Sequence, residues 1–302
     1  MAMTSTASPA SLTVDAAPTA KIQRWRTVRR LVNNRAAMTA FLFLCLLAFV
    51  AIFGWALAPY DPNAQSLLQT LRPPNAAHWL GTDRFGRDVF SRLIAGTQVT
   101  LLAGFQGCGV AALIGIPAGL LAGYVGKSLG FFLNWSSETL MSMPPLVLAL
   151  AIIGIRGPGI SNAMLAIGVI LSPRMFRVAR AAAITIRNET YFEAARSSGC
   201  TTARILVSHV LPNASGPLLV QASFAVGLAI LYEAALSFLG LGAQVPQASW
   251  GSMIHDAYQS LFKSSFGLFP PSIMIILTVF AFATLGDGMR DALGRDSRVS
   301  DR

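Results

Sequence analysis

Five stretches of this chain run for more than twenty residues with at most one charged side chain, and nothing else constrains its fold as much. Ala36 to Tyr60, Leu93 to Gly126 and Ser264 to Gly286 carry no charge, Phe131 to Ile155 carries only Glu138, and Gly216 to Gly240 only Glu233. A bilayer offers no water to backbone N–H and C=O groups, so a crossing segment satisfies them internally, as a helix of about 20 residues. Ile160 to Pro173 is a shorter apolar segment, expected to be helical to about Val178, which brings the spans to six. Composition agrees: 54% of the 302 residues are hydrophobic and 12% charged, where a soluble domain carries roughly 25% charged residues. The net charge of +10 rests on only 23 Lys and Arg, too few for a solvated nucleic-acid face. A soluble enzyme and a DNA-binding protein are both excluded. Cys45, Cys108 and Cys200 lie far apart without a C-x-x-C pair, so neither disulfide nor zinc chemistry is indicated.

Six spans put both termini on one side, and basic loop residues identify it. Seventeen of the 23 Lys and Arg fall on the terminus side, including Arg174, Arg177, Arg180, Arg187, Arg196 and Arg204 between the fourth and fifth spans. Six fall opposite: Arg72, Arg84, Arg87, Arg92, Arg156 and Lys263. Both termini are therefore expected in the cytoplasm. Ala56-Leu57-Ala58 resembles a signal-peptidase site, but the run before it is too long for an h-region and five spans follow. The expected organisation is a cytoplasmic tail over 1–35, its Ala/Ser/Thr/Pro-rich first part disordered. A first span over 36–60 and an outer loop over 61–98 follow. Residues 99–293 form a five-helix core with a cytoplasmic loop at 179–215, and 294–302 form a tail.

That loop has internal design. Thr190-Tyr191-Phe192-Glu193 is a capping box, Ala194, Ala195 and Arg196 favour helix, and Gly199 supplies a left-handed stop. Thr201 or Thr202 can cap a second helix running toward His209 and ending before Pro212. A short capped helix on a polar loop suits docking into a partner's groove; a solvated connector is the plainer alternative.

Glu193-Ala194-Ala195-Arg196-Ser197-Ser198-Gly199, followed by His209-Val210-Leu211-Pro212-Asn213, resembles the EAA motif of ABC importer permeases in its peptide/nickel form. Glu233-Ala234-Ala235 is a decoy, with Leu239 where the motif needs glycine. His78-Trp79-Leu80-Gly81-Thr82-Asp83, Gly86-Arg87-Asp88, Leu236 to Gly242, Ser249-Trp250-Gly251 and Leu285 to Asp291 are similar to further landmarks of the C-type subunits. The resemblance spans Ala36 to Leu293. It departs from the family at Asn134-Trp135, Glu138, Ala283 and Gly294-Arg295.

The resemblance implies an all-α integral membrane protein of six transmembrane helices, like the permease of a type I ABC importer, in a bacterial inner membrane. It implies a homologous permease partner, two ABC ATPase subunits or domains, an extracytoplasmic binding protein and surrounding lipid, but no nucleic acid. It further implies that Glu193, Ala194, Ala195, Arg196, Gly199, His209 and Pro212 couple the chain to those ATPases. ATP and Mg would sit on the ATPases, with no cofactor on this chain. Peptides are the expected cargo; nickel or another metal chelate, glutathione and haem-like ligands are alternatives.

Other residues are weighed individually. Glu233, inside a span, either lines the pathway or gate or bonds a neighbouring helix; Glu138 is placed near the inner end of its span. Gly115, Gly119 and Gly123 form G-x-x-x-G steps for close helix packing, within the subunit or against a paired permease. Pro117, Pro144 and Pro145 can kink their helices and act as hinges. Asp83, Arg84, Arg87, Asp88 and Arg92 form an outer charge cluster that contacts a binding protein or fixes the loop. Gly126-Lys127-Ser128 ends like a P-loop but lacks its first glycine, Leu121 standing there. No catalytic set or metal cluster assembles. A secondary transporter or channel, the chief rival, would want an internal repeat and ionisable relays.

Overall fold

The computed structural model describes residues 29–187 and 200–297. Asn34 starts the first long helix, α1 (Arg35–Leu57), by accepting from the Ala37 amide at 3.2 Å. Its 23 residues extend about 35 Å at 1.5 Å per residue, enough to cross a hydrocarbon core of about 30 Å. Phe41, Leu42, Leu46, Phe49, Ile52 and Phe53 stay exposed on it, as a lipid-facing surface requires. The buried positions are Ala37, Ala40, Leu47 and Gly54.

The next helix, α2 (Val89–Val125), is 37 residues long. It starts ten residues before the expected Val99, because Asp88 caps it, accepting from the Ser91 amide at 2.8 Å. Helices α3 (Lys127–Ser142) and α4 (Pro145–Arg156) occupy the third apolar run. They meet at 98°, so this run is a broken pair rather than one straight span. Pro145 follows Pro144, whose ring holds the preceding Met143 in an extended conformation and removes the amides a continuous helix needs. Glu138, on α3, is exposed and accepts from Asn134 Nδ2 at 2.6 Å.

Helix α5 (Ile160–Arg187) runs on past Val178, with Pro173 inside it. After the undescribed segment, Thr201 caps a short helix (Thr202–Ile205) that passes through a π turn (Leu206–Val210) into α6 (Leu211–Phe238). Pro212 therefore lies inside a continuing rod, not after its end. The Leu211 amide reaches back five residues to the Leu206 carbonyl, a wide turn that accommodates the proline ring and its missing donor. Thus 179–187 and 202–215 are helical. Helix α7 (Trp250–Gln259) opens with a Ser249/Ser252 capping box, and α8 (Phe269–Ser297) closes the chain. Among the described residues, five helical stretches are long and apolar enough to cross a membrane, or six where the bent α3–α4 pair is counted as one span. The only β pairing among those residues is an isolated bridge between Thr82 and Asp88.

Helix α2 is the axis of the bundle. A Cβ on Gly115 or Gly119 would lie 2.3 Å from the carbonyl oxygen of Ser172 or Phe176, so the backbones of α2 and α5 touch as only glycine permits. Gly123 meets Ala183 in the same way. The G-x-x-x-G steps thus pack within the subunit. Another face of α2 presents Gly104 to Ile230 of α6, while α8 lies on α6 through Gly227 and Phe282. Trp250 of α7 is fully buried and donates from Nε1 to the Leu93 carbonyl at 3.1 Å.

Candidate functional site

One cluster of charge, one buried carboxylate and one cavity carry the chemistry of the described residues. The cluster lies where the 61–98 loop meets α7. Gly81 and Gly86, both at φ +73°, turn the chain so that Asp83, Arg84, Arg87 and Asp88 point inward. Arg87 donates from Nε to Asp83 Oδ2 at 2.6 Å and from Nη2 to Asp256 Oδ2 at 2.7 Å. Arg84 Nη2 lies 2.9 Å from Asp256 Oδ1, and its other terminal nitrogen donates to Gln259. Arg92 pairs more loosely with Asp83 at 3.6 Å and donates to the Pro62 carbonyl. Asp88 accepts from Ser91 and holds His78 Nδ1 at 2.9 Å, while His78 Nε2 sits 3.0 Å from Gln69 Oε1.

Burial decides what this cluster does. The Arg87 and Arg92 side chains are 2% and 3% exposed, against 29% for Arg84. Buried charges persist when paired and hydrogen-bonded, and here three guanidiniums share two carboxylates. Of the two alternatives read from the sequence, fixing the loop is the one this geometry supports. Arg84 is the member with appreciable surface to offer a partner. Sequence inspection gave no sign of Asp256, which stands 169 residues from Arg87.

Glu233, on α6, has no exposed surface. Its Oε1 accepts from the Ser237 hydroxyl at 2.6 Å, and that oxygen accepts from the Ala243 amide at 3.0 Å. The Ser237 hydroxyl thus ties α6 to the turn that follows it, while Glu233 Oε2 is buried without a hydrogen-bond partner. Pro144 and Pro145 lie exposed at the α3–α4 bend.

On the opposite end, His209 is half-buried in the π turn and its carbonyl accepts from Asn213 Nδ2 at 3.0 Å. Pro212 is exposed on the first turn of α6. Glu193, Ala194, Ala195, Arg196 and Gly199 lie outside the described residues, as does the capping box at Thr190.

The cavity was not anticipated. It encloses about 510 Å³ between α5, α6 and α8, and Arg174, Arg177, Gln221, Phe224, Gly227 and Ala283 are among its walls. Counting Arg174 and Arg177 as loop charges hid it, because the fourth apolar run ends at Pro173. Their i, i+3 spacing puts both guanidiniums on one face of a helix that does not stop there.

Comparison with known proteins gives a consistent picture. A family model described as the binding-protein-dependent transport system inner membrane component matches residues 115–299. A second, the N-terminal transmembrane domain of oligopeptide transport permease C, matches residues 23–74. A dipeptide transport system permease of Alkalihalophilus pseudofirmus is 36% identical over 273 residues, 90% of each chain. A di/tripeptide transport system permease of Pseudomonas aeruginosa is 39% identical over 86% of this chain and 88% of its own. A glutathione transport system permease of Pectobacterium atrosepticum is 38% identical over 89% and 90%. Among solved structures, an inward-facing MetNI methionine ABC transporter chain superposes with a TM-score of 0.55 at 21% identity, covering 67% of this chain and 96% of that one. That likeness is one of fold.

Proposed function

Because the chain belongs to the family of binding-protein-dependent transport system inner membrane components, we propose that it is the membrane-spanning permease subunit of an ATP-driven importer of short peptides. The carrying observation is 36–39% identity, over 86–90% of each chain, to dipeptide and di/tripeptide permeases. The helical bundle, close-packed around the glycines of α2, fits a subunit that moves as rigid pieces between inward- and outward-facing states.

The excess of basic residues at 21–35, 180–204 and 290–302 supports cytoplasmic termini. On that side the segment from Glu193 to Gly199, with His209 and Pro212 behind it, is the docking point for partner ATPases. ATP and Mg are bound by those ATPases and not by this chain. A second permease completes the pathway, and an extracytoplasmic binding protein delivers the solute and sets most of the selectivity. The buried outer network holds the loop that such a protein would meet, with Arg84 on its surface.

The test is reconstitution of the full assembly in liposomes. ATP-dependent accumulation of a dipeptide, dependent on the binding protein, is expected; none with any di- or tripeptide overturns the reading. Glutathione, itself a tripeptide, is the specific second cargo, supported by the 38% identical relative; competition of glutathione against the dipeptide separates the two. Gly199→Val replaces the glycine that the sequence marks as the stop of the docking segment, so uptake is expected to fall while the ATPases still turn over. Normal uptake with that variant would sink the coupling assignment.

A further inference from the structure

We propose that the cavity between α5, α6 and α8 is an anion site within the pathway, where Arg174 and Arg177 transiently receive the carboxylate of the transported solute. The proposal deepens the importer reading and rests on it for the identity of the solute, though not for the existence of the site.

Depth is the first argument. Arg174 comes 14 residues after Ile160 on α5, and Ala283 comes 14 residues after Phe269 on α8. Both therefore lie about 21 Å along their helices, short of a hydrocarbon thickness of about 30 Å. Charged side chains at such a depth face a water-filled space or a bundle interior and mark ion and solute routes. Both arginines are exposed and both line the cavity.

Charge is the second. No Asp or Glu is among the described residues of the cavity wall. Neither arginine forms an ion pair with another described residue, in contrast to every arginine of the outer cluster. Arg290, 5.8 Å from the ring of Phe224, is by contrast already paired with Asp287. Two guanidinium forks one helical turn apart match a carboxylate in shape and charge. Gln221 can bond a peptide group, and Phe224, Leu228 and Val279 give apolar wall for a side chain. The volume of about 510 Å³ falls within the range of small-molecule sites. An anionic lipid headgroup has the same oxyanion chemistry, so the experiment must tell the two apart.

The complete transporter is reconstituted in vesicles of phosphatidylcholine alone, carrying Arg174→Gln, Arg177→Gln, both, or Arg174→Lys. With alanyl-alanine as solute, the double variant is expected to lose about tenfold or more in uptake, the scale of a lost charge-assisted hydrogen bond. Binding-protein-stimulated ATP hydrolysis should persist, and Arg174→Lys, which keeps the charge but loses the fork, should take up more solute than Arg174→Gln and less than the unaltered protein. Independently, Ala283→Cys is labelled with an anionic and a cationic thiol reagent. The anionic one should react several-fold faster, the preference should vanish in the double Gln variant, and alanyl-alanine should slow labelling. Unchanged uptake in the double variant, or labelling without charge preference, overturns the proposal. Slowing by added phosphatidylglycerol but not by the dipeptide assigns the site to lipid and also overturns it. If no peptide is transported but the charge-selective labelling holds and another carboxylate solute slows it, the site stands and the peptide reading falls.

Discussion

The charge cluster of the 61–98 loop and the cavity between α5, α6 and α8 use the same residue type to opposite ends. In the cluster, Arg87 and Arg92 are almost fully buried and meet Asp83 and Asp256. In the cavity, Arg174 and Arg177 stand exposed on a wall that has no acid among its described residues. A buried arginine with carboxylate partners is fixed and belongs to the architecture. An accessible arginine left with its charge uncompensated is available to something that comes and goes. Position relative to the membrane and the presence of a partner, rather than residue type, separate the two.

That contrast can be broken at several points, in descending order of effect. Arg87→Ala removes the short contacts to both Asp83 and Asp256 and leaves those carboxylates to Arg84 and to the looser Arg92; losing hydrogen bonds between charged groups at so buried a side chain is expected to cost about 1–3 kcal/mol. The purified protein should show a much lower thermal unfolding midpoint in detergent, and a midpoint unchanged would remove the architectural reading of the outer cluster. Gly119→Val drives a side chain into the Phe176 carbonyl of α5, an overpacking expected to cost about 1–3 kcal/mol. Thermal unfolding should detect it, whereas Gly109→Val, with open space beside it, should leave the midpoint in place. Glu233→Gln keeps an oxygen for the Ser237 hydroxyl, so stability should shift by no more than about 1 kcal/mol and uptake should persist. Loss of uptake from a stable Glu233→Gln protein would move that residue from the architecture to the pathway. Arg174→Gln should leave stability essentially unchanged and affect only transport; a fall in midpoint comparable to Arg87→Ala would erase the distinction between the two regions.

What could be read from the sequence followed the reach of each signal. Uncharged runs report burial in lipid directly, so the helical class and the spans emerged without coordinates. The charges at Asp83 to Arg92 were visible as a cluster because they are neighbours in the chain, but their partner Asp256 arrives from α7 and leaves no local trace. Helix ends were harder. Pro212 read as a boundary yet lies within a helix, since the widened turn before α6 absorbs what the proline disrupts, and α5 runs to Arg187 rather than ending near Val178. Counting Arg174 and Arg177 with the connecting loop, although the expected helix contains them, is what kept them from being read as cavity wall. Glu233 illustrates a signal the sequence leaves open: a carboxylate in a span fits either a pathway or a structural role, and only coordinates show it buried beside Ser237.

The π turn ahead of α6 has a consequence for angle. An α-helix advances about 100° per residue, and the five-residue reach from Leu211 to Leu206 fits one residue more into that turn than an α-helix holds. Everything before Leu206 is therefore rotated about the helix axis by roughly that amount relative to an uninterrupted rod. The insertion sets Ile205 and Leu206 in line with Val210, Ala214 and Leu218, all packed in one apolar cluster. It thereby fixes the azimuth at which the chain enters from the segment after Arg187. Deleting one residue between 206 and 210 would close the turn and swing that point of entry to a different side of the subunit, with every residue of the segment unchanged.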